Sequence, residues 1–208
     1  GDIMYADLDG KPGISTGAET LDDHGDLKVI GNTTPRFFFG ADLTANYKGF
    51  DFRAFFQGIA KRDYFTGSPI FWGVTSNQWW SAALGEHQDY FRPEEIGLDG
   101  RIISANTDSY FPRPIFGTNK NQRTQTRFLQ NAAYLRLKNL QLGYTIPKDV
   151  TGKIGMSNCR VFVSIDNLFT VTNLLKVFDP ETIDGGYEGY GNAYPMARTF
   201  SFGISTTF

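Results

Sequence analysis

Hydrophobic and polar residues along this chain follow one of two regimes: alternation sustained for about ten residues, or no period at all. Residues 198–208 read R-T-F-S-F-G-I-S-T-T-F, with Phe200, Phe202, Ile204, Thr206 and Phe208 on one parity and Thr199, Ser201, Gly203, Ser205 and Thr207 on the other. Successive side chains of a strand point to opposite faces, so this segment has one greasy face and one small polar face. About 9–11 residues is the length a tilted strand needs to cross a hydrocarbon core. In a soluble sheet such an edge would present unpaired backbone and a row of Phe to its neighbours. Lipid outside and water inside call for this pattern, which predicts a transmembrane barrel strand, with Phe200, Phe202, Ile204 and Phe208 as its barrel-assembly residues.

The same alternation predicts four earlier strands. Phe37, Phe39, Ala41, Leu43, Ala45 and Tyr47 alternate with polar or small residues over 36–47, and Phe50, Phe52, Ala54, Phe56 and Gly58 do so over 49–60. Lys48-Gly49 between them reads as a tight hairpin turn, with Tyr47 and Phe50 at a membrane interface. Over 132–146 the parity switches: Leu135 and Leu137 share one face, whereas Leu140, Leu142, Tyr144 and Ile146 share the other. One extra residue near Lys138-Asn139, a β-bulge, reunites the two sets. Over 159–167, Cys159, Val161, Val163 and Ile165 form the apolar parity, which reads Cys159 as a buried or lipid-facing thiol.

The remainder lacks a period. Residues 1–35 read as an extracellular loop, and 61–131 and 168–197 as two large ones. Connections this long are uncommon without a function. All three tryptophans, Trp72, Trp79 and Trp80, fall in the first of these, among many Tyr and Phe. Flat rings in a polar loop stack on sugars or on a partner surface, which makes Trp72, Trp79, Trp80 and Tyr90 candidates for substrate or partner contact. The other reading makes them the loop's own core. Residues 76–85 read as a short helix.

Composition narrows the classes. No run of about 18 apolar residues exists, so no helix is expected to span a membrane, a test that barrel strands escape. The formal charge is −2 and no basic stripe appears, which argues against nucleic acid. His24 and His87 lie far apart, no nucleophile-elbow, zinc-helix or paired-cysteine motif occurs, and Glu94-Glu95 reads as a solvated face, so an enzyme is not expected. Asp7-Leu-Asp9-Gly10 resembles the start of a calcium loop. Lys11 stands where a third acid belongs and Glu19 comes one residue late, so an Asx turn competes with calcium at Asp7 and Asp9. No other cofactor is expected. No signal peptide opens the chain, which reads either as processed or as the C-terminal piece of a longer polypeptide.

Tyr134-Leu-Arg-Leu-Lys-Asn-Leu-Gln-Leu-Gly-Tyr144, Asp166-Asn-Leu-Phe-Thr170, Phe178-Asp-Pro-Glu181 and Tyr194-Pro-Met-Ala-Arg-Thr-Phe-Ser-Phe-Gly203 resemble, in family order, the C-terminal end of SusC/RagA-like TonB-linked outer-membrane proteins. Asp7-Leu-Asp-Gly10 and Tyr47-Lys-Gly-Phe50 fit the same family. The resemblance implies an all-β fold, a transmembrane antiparallel barrel of about 22 strands, of which this chain holds the last five or six. It implies active import of oligosaccharides or peptides across the outer membrane of a Bacteroidetes-type Gram-negative bacterium. The implied partners are a SusD-like surface lipoprotein, TonB, outer-membrane lipid, and the plug and remaining barrel polypeptide. Short turns of such barrels face the periplasm, so 48–49 and 147–158 lie there with the C-terminus, and the long loops lie outside. A soluble or surface-attached carbohydrate-binding β-sandwich and a passive porin are the alternatives.

Overall fold

The computed structural model describes residues 1–75, 79, 81–183 and 193–208. In chain order the elements are β1 (Arg36–Tyr47), β2 (Phe50–Lys61), β3 (Asp63–Tyr64), the one-turn helix α1 (Pro69–Trp72), β4 (Glu95–Ile96), β5 (Ile102–Ile103), β6 (Gln130–Asn131), β7 (Tyr134–Thr145), the one-turn helix α2 (Lys148–Thr151), β8 (Asn158–Thr172) and β9 (Thr199–Thr207). Contacts divide the chain into two units. Gly1–Gly31 with Phe65–Leu129 make a loop unit, and Asn32–Tyr64 with Gln130–Phe208 make a wall unit.

The wall unit is one five-stranded sheet in the order β1-β2-β7-β8-β9, every neighbouring pair antiparallel. A β-sandwich needs a second sheet of comparable size. The other two sheets have two strands of two residues each, so the sandwich alternative is not met. The sheet does not close on itself: β1 and β9 are its two edges.

Two turns join strands at one end. Tyr47 pairs with Phe50 across Lys48 (φ 47°) and Gly49 (φ 87°), two positive φ values in succession, the geometry of a type I′ turn whose twist matches that of the strands. β7 and β8 are joined by 146–157, which carries α2. The end of β9 lies at this same end, where Asn158 pairs with Thr207. The long connections leave from the other.

Register explains the parity switch in β7. Against β2, Phe55 pairs with Asn139 and Phe56 with Leu137, so Lys138 is the extra residue. Against β8, Leu137 pairs with Phe169 and Asn139 with Asp166, leaving Asn167 and Leu168 opposite Lys138 alone. Asn167 takes φ 52°, a conformation Asn tolerates better than most residues. With the bulge in place Leu135, Leu137, Leu140, Leu142 and Tyr144 lie on one face, opposite Gly58, Phe56, Ala54, Phe52 and Phe50 of β2. Val161, Val163, Ile165 and, on β9, Ile204, Phe202 and Phe200 continue this face. It stays exposed at bulky residues: Phe202 is 81% and Ile204 71% accessible. Cys159, on the same parity, is buried and unpaired with any cysteine.

The opposite face is ionic. Arg53 on β2 donates two hydrogen bonds to Asp42 on β1, from Nε at 3.0 Å and from Nη2 at 2.6 Å. Arg160 on β8 reaches across β7 to Asp51 on β2, its Nε 2.9 Å from Oδ1. That bridge passes over Gly143, where a Cβ would strike both partners. On β9 the Phe162 ring lies against its paired residue Gly203 and fills the space a side chain would take. A one-residue slip in any strand would carry these charges onto the apolar face, so the two faces together hold the register.

In full-length protein, Phe202→Lys and Ile204→Lys should each abolish the heat-modifiable, folded band in membranes, because a charge facing lipid at mid-depth costs about 2–4 kcal/mol. Ser201→Lys, on the ionic face, should leave that band in place.

Candidate functional site

The loop unit is built on an aromatic core. Ser68 Oγ accepts the Ile70 N–H, Pro69 takes the first helical position and Gly73 (φ 68°) ends α1, which makes a helical turn of four residues. That turn buries Phe71 and Trp72. Phe71, Trp72, Phe111 and Phe128 are each 7% exposed or less; Trp72 meets both Phe71 and Phe128 edge to face at 4.9 Å, and Phe111 stacks on Phe128 at 6.2 Å. The Trp72 indole Nε1 donates to the Thr66 carbonyl at 3.1 Å. Trp72 therefore packs into the loop's core, as the other reading of these rings has it, with one edge on a neighbouring cavity. Trp79 is 85% exposed. Tyr90 is half-buried, its ring under the Arg92 guanidinium at 5.2 Å. Trp80 lies outside the described residues. So do 76–78 of the expected helix over 76–85; residues 81–84 are not helical, and a 3-10 turn runs over Gly85–Gln88.

Beside this core is a cavity of about 400 Å³. Trp72, Phe111, Leu84 and Ile115 contribute to its apolar surface, Arg113 and Lys120 line it as cations, and among the described residues no carboxylate lines it. His87 seals one wall. Its Nδ1 accepts the Leu84 N–H at 2.8 Å, so the proton sits on Nε2, which donates to the Phe71 carbonyl at 2.8 Å. Gln122 donates to the Val74 carbonyl, and the Lys120 ammonium meets Asp2 at 2.6 Å. The Lys120 contact, with Asn121, holds the Asp2 carboxyl below the ordinary carboxylate range.

Asp7 and Asp9 gain a third acid from a place no local spacing indicates: Asp26, with ligand oxygens of the three within 4.8 Å of one another. Asp26 Oδ1 accepts the Leu8 N–H at 2.5 Å and Oδ2 the Ser15 N–H at 2.8 Å. The N–H groups of Ser15 and then Leu8 keep its carboxyl below the usual range. Asp9 Oδ1 accepts the Lys11 N–H at 2.9 Å, an Asx turn, while the Lys11 ammonium lies 3.3 Å from Asp9 Oδ2. Calcium needs about six to eight oxygen ligands. Here the carboxylates are already engaged by backbone donors, with Lys11 as counter-ion.

In the wall unit, Arg136 organises a buried ionic clamp on the ionic face. Its side chain is 3% exposed. It donates to Thr170 Oγ1 at 2.7 Å and to Asp179 Oδ1 at 2.7 Å, and lies 3.2 Å from Glu181 Oε2, which Lys138 approaches to 2.8 Å. Asp179 also accepts the N–H groups of Glu181 and Met196. Burial raises the Asp179 pKa, but the Glu181 N–H, the Arg136 guanidinium and the Met196 N–H outweigh it and hold the carboxyl below its ordinary value. Phe178, against Tyr64 at 5.8 Å, seals the clamp with Leu174 and Ile183, both under 5% exposed.

No family model matches the sequence. Over its whole length the chain is 31% identical to TonB-dependent receptor P3 of Formosa agariphila, of which it spans 19%. It is 28% identical to TonB-dependent receptor P26 of the same organism, over 95% of this chain and 20% of the relative. Among solved structures it is similar to the RagAB peptide transporter, with 27% identity and a TM-score of 0.61 over 86% of this chain and 18% of that one. The RagAB peptide importer in the open-open state gives 25% identity and a TM-score of 0.59 over 91% of this chain and 19% of that one. The chain belongs to the TonB-dependent receptors. It fits a C-terminal portion of a SusC/RagA-like member, and it spans only about a fifth of the relatives it matches. TonB-dependent receptors are outer-membrane proteins. None of these relatives is named for an enzymatic activity.

Two outcomes test these sites. Calcium chelation should leave trypsin digestion of residues 1–31 unchanged, whereas Asp26→Ala should accelerate it; calcium-dependent protection would instead make the acidic trio a metal site. Asp179, with its folded pKa depressed, stabilises the clamp above the ordinary carboxylate pKa of about 3.9, and that stabilisation is lost as pH falls through the lower folded value. Pepsin cleavage of 173–183 should therefore begin only below about pH 3.9. Asp179→Asn removes one of the two carboxylates that hold the buried Arg136, weakens the clamp, and should accelerate trypsin cleavage after Lys176 at neutral pH.

Proposed function

We propose that this chain forms part of the barrel wall and outer loops of a TonB-dependent outer-membrane importer, which draws energy through TonB and takes up peptides or oligosaccharides. A SusD-like surface lipoprotein lids the barrel, and other segments of the polypeptide supply the plug and the remaining strands. The observation that carries this reading is the single antiparallel sheet with one exposed apolar face and one ionic face, similar over its whole length to TonB-dependent receptors. The ionic face looks into the lumen. The turns at 48–49 and 146–157 and the C-terminus face the periplasm, since periplasmic turns of such barrels are short, and the long connections face outside. Likeness to the RagAB peptide importer favours peptides among the two cargo classes. In this arrangement Trp79, 85% exposed, is the outward-facing tryptophan among the described residues and a contact for cargo or lid.

Deleting the full-length gene should abolish growth of the host on a defined peptide mixture, and TonB depletion should do the same. Uptake that survives TonB depletion would make the barrel a passive porin. Loss of growth on glycans but not on peptides would reverse the cargo assignment.

A further inference from the structure

We propose that the cavity of the loop unit binds the C-terminal end of a peptide, the free carboxylate on Arg113 and an apolar last side chain against Trp72, Phe111 and Ile115. This inference rests on the import reading above. The cavity's volume, about 400 Å³, lies within the span of small-ligand sites, about 300–1,000 Å³. That is room for a terminal residue and part of its neighbour, not for a folded partner.

The polar groups of the lining fall into two sets. His87 uses both ring nitrogens on the wall itself, the Gln122 amide donates to Val74, and Lys120 is ion-paired with Asp2. Arg113 and Gln88 are different: among the described residues their side chains make no hydrogen bond and Arg113 no ion pair, although the Arg113 backbone is fixed by its N–H to the Gly1 carbonyl at 3.2 Å. A guanidinium presents a planar fork that matches a carboxylate. Among the described residues the lining contains no carboxylate, so nothing there accepts strongly from the many hydroxyl donors of a sugar, whereas an anion meets the guanidinium of Arg113. The apolar surface directly beside that charge selects further. An internal Asp or Glu brings a carboxylate without an apolar group, but a terminal residue carries both on one Cα. The chemistry that fits is thus a free peptide terminus ending in a bulky apolar residue.

The test uses the purified full-length transporter and a tetrapeptide, Gly-Gly-Ala-Phe, labelled with a fluorophore at its amino end and made as the free acid and as the C-terminal amide. Fluorescence anisotropy should show the acid binding about tenfold tighter than the amide, the scale of one charge-assisted contact. Arg113→Gln should erase that difference, with unchanged heat-modifiability, because this side chain is exposed and supports no other group. Replacing the last Phe of the peptide by Gly should weaken binding of the acid comparably. Equal binding of acid and amide to the wild type, or discrimination that persists in Arg113→Gln, overturns the pocket and leaves peptide import standing. Failure of both peptides to bind the wild type overturns peptide import, and the pocket with it.

Discussion

The constraint on which this structure depends is that backbone polar groups have no water to turn to inside a bilayer. A chain crossing hydrocarbon as strands must pair its N–H and C=O groups with neighbouring strands and must give lipid only apolar side chains. The five long strands answer both demands. Each interior strand is paired on both sides, and the side-chain period of two gives one face mostly Phe, Leu, Ile and Val and the other Asp, Arg, Asn, Thr and Ser, joined there by Phe55 and Phe162. The edges β1 and β9 leave a row of donors and acceptors each, a demand that this sheet cannot meet by itself. Open edges and an exposed greasy face point the same way: toward more strands and toward lipid.

Pairing alone does not choose a register, because a sheet slipped by one residue makes as many backbone bonds. What chooses it is the cost of the wrong face, and the sheet concentrates that cost. Asp42 with Arg53 ties β1 to β2, and Asp51 with Arg160 ties β2 to β8 across Gly143. Exposed ion pairs contribute little net stability, typically about 0–1 kcal/mol. Their larger effect is on the alternatives, where a slipped Arg or Asp would stand in hydrocarbon. The bulge at Lys138 works in the same direction. Without it, the leucines on one side of Lys138 or those on the other would face the lumen.

Most of this wall was legible in the sequence because alternation is a local property: parity, the Lys48-Gly49 turn and the offset at Lys138-Asn139 can be read within a dozen residues. The clamp was not. Arg136 sits between two leucines on the polar parity, and nothing nearby announces that Asp179 and Glu181 will fold back onto it. Asp26 is equally silent, one acid among several in an irregular segment, until the loop closes against Asp7 and Asp9. Trp72 was ambiguous for a related reason. Aromatic residues crowd both binding surfaces and small cores, and only burial against Phe71 and Phe128 tells the two apart. What sequence misses here are contacts between residues far apart in the chain with no period to betray them.

The clamp raises a question of economy that its geometry answers. Burying Arg136 with two carboxylates is seldom more stabilising than burying apolar residues of the same volume, because each ion gives up its hydration. A charged cluster is directional where an apolar one is not. Asp179 must satisfy Arg136, the Glu181 N–H and the Met196 N–H at once, and only one course of the chain over 178–181 and 196 allows that. The connection between β8 and β9 is long, and long connections can take many routes at little entropic difference. A cluster that engages Arg136, Lys138 and two backbone N–H groups together favours one of them. The resulting order begins at the rim of the wall, where Lys138, the bulged residue of β7, reaches Glu181.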